Sequence, residues 1–157
     1  MLTRTRFLAL CLGSAGLAIS STVLSQAART PSPPGAKVYF ISPADGAVIK
    51  GPVKVVMGLS GMGVAPAGID VATTGHHHIL VNAPADINLN DAMPADAVHR
   101  HFGLGQTEAT LTLPPGRHTL QLLLRDKSHV PHDPPVISSD DVFMGYGRLL
   151  ILNLPLK

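Results

Sequence analysis

The chain is poor in the residues that most often carry chemistry. It has one cysteine, no tryptophan, two tyrosines and four phenylalanines in 157 residues, so a core built on Cys–Trp–Cys is excluded. Cys11 lies in an apolar N-terminal stretch and follows Leu10 rather than a small residue, which excludes a lipoprotein signal. Once that stretch is removed, the chain has no disulfide, no thiolate metal ligand and no cysteine nucleophile. Glu108 is the only glutamate. No His-Glu-x-x-His helix and no phosphate-cradling loop is present. Ser60, Ser128, Ser138 and Ser139 lack the strand–turn–helix context of a serine nucleophile. The sequence therefore names no catalytic residue.

Charge is scarce too. Lysine plus arginine number 12 against 10 acidic residues, and loss of Arg4 and Arg6 with the N-terminal segment leaves 12 − 2 = 10 against 10. A neutral surface gives no electrostatic basis for binding nucleic acid or an anionic membrane.

Residues 1–27 read as a secretory signal peptide. Arg4 and Arg6 form its basic start, Phe7 to Leu17 its short apolar run, and Ser25-Gln26-Ala27 the small residues of a cleavage site. Gly13, Ser14 and Gly16 break the run, which is too short for a span, so no stable membrane span is expected after cleavage. The expected location is the periplasm or the exterior. Residues 28–36, with Pro31, Pro33, Pro34 and Gly35, read as a Pro-rich linker. Residues 37–157 are the right length for one domain with one core.

No segment of that domain shows a long helical period. Short runs of alternating character appear instead between Pro/Gly turns: Lys37 to Ile41, Val53 to Leu59, His76 to Val81, Thr107 to Leu113, Arg117 to Arg125, a short strand within Val136 to Met144, and Arg148 to Leu154. Pro114-Pro115-Gly116 suggests that the fourth and fifth runs form a hairpin. The expected fold is all-β, a single antiparallel β-sandwich of immunoglobulin-like type with long loops. Two connections, Ser60 to Gly75 and Asn82 to Gly105, are long for so small a domain, which marks them as functional or disordered.

What the chain has in excess is histidine. All eight lie between His76 and His132. Alternation along a strand puts His76 and His78 on one face and His77 on the other, with Ile79 and Val81. His99 and His101 repeat the spacing. His129 and His132 lie in a segment stiffened by Pro131, Pro134 and Pro135. Imidazole suits zinc, copper, iron and nickel, and three or four rings complete a shell. The candidate metal ligands are thus His76, His78, His99, His101, His129 and His132. Asp126 and Asp133 are candidate further ligands or acceptors for ring N–H groups. The expectation is geometric: the three pairs meet at one site, or the metal reading fails. His77 and His118 read as structural, His118 because it shares a face with Leu120, Leu122 and Leu124. Met57 reads as core, whereas Met62, in Gly61-Met62-Gly63, is a candidate soft ligand for copper.

Several stretches carry a resemblance. They are Ser42-Pro43-x-Asp45-Gly46, Gly61-Met62-Gly63-Val64-Ala65-Pro66-Ala67-Gly68, Gly75-His76-His77-His78, His99-x-His101-Phe102-Gly103-x-Gly105-Gln106-Thr107, Leu113-Pro114-Pro115-Gly116-x-His118-Thr119-Leu120-Gln121-Leu122, and Asp126-x-x-His129-Val130-Pro131-His132-x-Pro134-Pro135. Together they resemble the bacterial exported family named domain of unknown function 4399, over about residues 38–143. The resemblance implies a small periplasmic β-rich domain and no established activity. Three functions remain open: binding copper or zinc for buffering or delivery; a non-metal module whose histidines order loops for an envelope partner; or a metal-dependent hydrolase.

Overall fold

The computed structural model describes residues 29–84, 87, 89, 96–138 and 142–146. The described residues contain nine strands and no helix: β1 (Lys37–Ser42), β2 (Val48–Ile49), β3 (Val53–Ser60), β4 (Gly63–Val64), β5 (Thr74–Val81), β6 (His99–His101), β7 (Glu108–Leu111), β8 (Gly116–Arg125) and β9 (Val142–Tyr146). No helix among them is long and apolar enough to cross a membrane. Residues 1–27, where a signal peptide is expected, and the expected strand Arg148 to Leu154 lie outside the described residues.

Two sheets form. One has the order β1-β3-β7. The other has β2-β9-β8-β5-β4, with β6 also paired to β5. Most pairings are antiparallel; β2 with β9 and β4 with β5 are parallel. Val38, Val53, Val55, Met57 and Leu111 of the first sheet pack against Ile79, Val81, Leu120, Leu122 and Leu124 of the second in one buried cluster. These are the alternate residues of each strand, so period-2 patterning builds the β-sandwich directly. Met57 is core as expected, and Met62 packs against that core.

The expected hairpin of Thr107 to Leu113 with Arg117 to Arg125 does not form. β7 pairs with β3 in the first sheet, and β8 pairs with β5 and β9 in the second. Pro114-Pro115-Gly116 carries the chain across the sandwich rather than around a tight turn. The physical reason is that Leu111 and Leu113 share a core with Leu120, Leu122 and Leu124. Alternation fixes which faces are apolar, but those faces can meet from opposite sheets as well as side by side within one.

Residues 29–36 are tied to the domain rather than held apart from it. Ser32 N–H donates to the Asp133 carbonyl at 3.0 Å and Asp133 N–H to that of Thr30 at 2.9 Å. The Arg29 guanidinium reaches the carbonyls of Pro131 and His132.

Candidate metal centre

β5 lies between β8 and β6, and its register builds the site. On the inner face, His77, Ile79 and Val81 oppose Leu124, Leu122 and Leu120. On the outer face, His76, His78 and Leu80 oppose Arg125, Leu123 and Gln121 of β8. β6 sets His101 directly beside His78 and His99 beside Leu80. Cross-strand neighbours have Cβ atoms ~4.5–5.5 Å apart, so three imidazoles come together on this face through strand pairing alone.

The fourth arrives from the turn after β8. The Asp126 Oδ1 accepts from the N–H groups of Ser128 and Val130, both at 2.9 Å, and its carbonyl accepts from His129 N–H at 3.0 Å. Burial works against ionisation of Asp126, but hydrogen bonds from Thr30, Val130 and Ser128 hold its carboxyl below the usual range. The charged side chain thereby knots a tight turn. His129 sits in that turn at φ 65°, a left-handed conformation uncommon for a non-glycine residue and often found at functional sites. Its ring swings back over β5.

The four rings lie close together. Centroid separations are 4.9 Å for His76–His78, 5.0 Å for His76–His101 and 5.0 Å for His76–His129. They are 4.9 Å for His78–His101, 6.2 Å for His78–His129 and 4.8 Å for His101–His129. The Nε2 atoms of His76 and His78 are 3.0 Å apart, and those of His129 and His101 are 3.2 Å apart. Four nitrogens placed tetrahedrally at ~2.0–2.1 Å from a zinc lie about 3.3 Å from one another, with ring centroids about 5 Å apart. The separations among His76, His78 and His101 follow that pattern, and His129 adjoins them through His101 and His76 but stands further from His78, at 6.2 Å. The ligating nitrogens of His76, His78 and His101 all lie within 4.8 Å of one another.

The rings are also in the right protonation state. Burial, then the neighbouring His129, His101 and Arg125, lowers the His76 pKa to about 4. Burial, then Arg125 and the other rings, lowers that of His78 to about 2. Burial, His129 and Arg125 lower that of His101. At neutral pH these three imidazoles are uncharged, the form a metal requires.

Two of the six candidate ligands lie elsewhere. The His99 Nδ1 is 2.9 Å from the Asp96 carboxylate, on the rim. His132 is fully buried, its pKa lowered by burial against the opposing pull of Asp126. Each of the three pairs does reach the site, the first through both members and the others through His101 and His129. Asp126 and Asp133 are outside the metal-holding group. The buried His118 is structural: its Nε2 is 2.8 Å from the Pro114 carbonyl and its Nδ1 3.0 Å from the Asn82 Nδ2. The Asn82 side chain is a donor there and the Pro114 oxygen an acceptor, so the partners assign the proton to Nε2.

Some of the site's requirements are carried by residues with no metal-binding chemistry. A Cβ on Gly103 would lie 2.3 Å from the His101 Cε1 and 2.4 Å from its Nε2, so this glycine is the floor on which the His101 ring rests. A Cβ on Gly75 would meet the Arg125 carbonyl at 2.5 Å, which explains a glycine directly before the histidine triplet. The loop Gly61 to Gly68 clips the ligand-bearing segments together. Ala65 N–H donates to Gly75 at 2.8 Å, Ala67 N–H to Gly103 at 2.8 Å and Gly68 N–H to Lys127 at 3.0 Å. The signal for them was present in the glycines beside His76 and His101, whose need for close approach sequence reading passed over.

Residues 55–142 match the family described as Domain of unknown function (DUF4399), and the chain belongs to that family. No curated protein and no solved structure matches it.

Proposed function

We propose that this is an exported, periplasmic domain that binds a single copper or zinc ion through His76, His78, His101 and His129, for buffering or delivery of the metal. The observation that carries the reading is the set of ring separations, which gathers His76, His78 and His101 into one cluster on the outer face of β5 with His129 beside it. Four protein ligands close a tetrahedral shell and leave no position for a substrate or an activated water, which favours holding a metal over metal-assisted hydrolysis. The exposed His129 is the ligand best placed to leave, giving a route for exchange with a partner. Titration of the metal-free protein with copper and with zinc tests this. One equivalent should bind with a Kd below about a micromolar, near −8 kcal/mol; the absence of binding at that level for both metals rejects it.

A further inference from the structure

A cation forms one wall of this site. Arg125 is the cross-strand partner of His76 on the same outer face. It is 1% exposed, and its Nη1 donates to the His129 carbonyl at 2.8 Å. Its Nε and Nη2 are buried without a hydrogen-bond partner. No carboxylate belongs to the metal-holding group. The adjacent Asp126 is occupied elsewhere, with Oδ1 on two backbone N–H groups and Oδ2 accepting from Thr30 at 2.7 Å. The four ligands are therefore imidazoles with no carboxylate among them, and the fixed charge that acts on His78 and His101 is the Arg125 cation, offset at His76 in part by Asp126.

Two constraints on the ion follow. Five ring separations near 5 Å and one of 6.2 Å lack the two long diagonals of a square, whereas Cu(II) prefers a tetragonal nitrogen set. A filled-shell ion has no such preference, which leaves Zn(II) and Cu(I). Charge then separates the two. Repulsion between Arg125 and the ion scales with the ion's charge, so a dication is opposed twice as strongly as a monocation. An anionic ligand would offset this, and the donor set contains none.

We propose that the centre of His76, His78, His101 and His129 is selective for monovalent copper, and that the buried Arg125 guanidinium is the residue that sets this selectivity. The inference rests on the metal-centre reading above and adds the identity and charge of the ion. Arg125 also holds the His129 carbonyl, so it positions one ligand while it discriminates by charge.

The test compares Cu(I) affinity, measured anaerobically against a competing Cu(I) chelator, with Zn(II) affinity measured against a chromophoric zinc chelator. The proteins are the wild type, Arg125→Met and Arg125→Lys. Removing the charge in Arg125→Met should shift the ratio of the two affinities toward Zn(II) by roughly tenfold or more, and Arg125→Lys should keep the ratio near wild type. A variant that merely loosens the site weakens both metals and leaves the ratio unchanged, and an unchanged ratio overturns the proposal. The wild type gives a second readout that does not depend on a variant folding. Its bound copper should have a Cu(II)/Cu(I) potential above that of aqueous copper, and a lower potential overturns the proposal. Failure of both metals to bind overturns the site itself, whereas tight binding with an unchanged ratio overturns the selectivity alone.

Discussion

His118 and His78 are both buried imidazoles on the two central neighbouring strands of one sheet, β8 and β5, yet they face opposite sides and have opposite surroundings. The ring of His118 meets an amide and a carbonyl, one at each nitrogen. The ring of His78 meets three other imidazoles. Burial alone therefore does not mark a ligand; what the ring nitrogens face does. The largest effect should come from testing this contrast directly. His76→Ala/His78→Ala removes half the shell and should weaken metal binding by a thousandfold or more, about 4 kcal/mol. His118→Ala should leave the Kd within about twofold while lowering stability to urea by roughly 1–3 kcal/mol, the cost of stranding buried polar partners. Equal loss of metal affinity in the two variants would erase the distinction.

A second contrast runs through β5 itself. His77, between two ligands, points into the core beside Leu124, and neither of its ring nitrogens has a hydrogen-bond partner. Burial lowers its pKa from 6.5 to about 4. Above pH 6.5 the folded and unfolded chains are both neutral at this ring and nothing is lost. As pH falls from 6.5 toward 4, the unfolded chain takes up a proton that the folded ring refuses, and stability drops by about 1.4 kcal/mol per pH unit. His77→Leu should remove one proton's worth of this slope, worth about 2 kcal/mol at pH 5, in urea melts of the metal-free protein. The same variant should bind metal as the wild type does. An unchanged slope means that the ring is not held neutral in the core.

Much of this contrast was legible in the sequence. Strand alternation alone assigned His76 and His78 to one face and His77 to the other, and the apolar series around His118 marked it as structural. Strand register was not legible. Pairing of β5 with β6 sets His101 beside His78 and His99 beside Leu80; a shift of two residues would set His99 beside His78 and His101 beside His76, and nothing in His99-Arg100-His101 chooses. The choice between His129 and His132 depends on the Asp126 turn, a local hydrogen-bond pattern that spacing does not report. The crossing at Pro114-Pro115-Gly116 was misread for a related reason: periodicity identifies apolar faces but not their partners.

The glycine beneath His101 offers a finer probe, because it changes no ligand. Gly103→Ala would place a methyl group where the His101 ring now lies, and the ring must shift by several tenths of an ångström or more. Metal affinity should fall by about tenfold, near 1.4 kcal/mol, with the other three ligands in place. Wild-type affinity in this variant would show that His101 contributes little to the shell.

The smallest expected effect separates two histidines only two residues apart. His99 and His101 share a strand face, but the His99 ring turns to the Asp96 carboxylate at 2.9 Å whereas His101 turns to His129. A single rim contact to a half-exposed carboxylate contributes little to stability, and the His99 ring is committed away from the shell. His99→Ala should therefore leave both the Kd and the urea midpoint close to wild type, while His101→Ala weakens binding severalfold or more. The two substitutions delete the same ring from the same short strand, so a difference in metal affinity between them can come only from where each ring points. If His99→Ala proved the more damaging, His99 would be the ligand beside His78, and the register of β6 on β5 would be two residues from the one described.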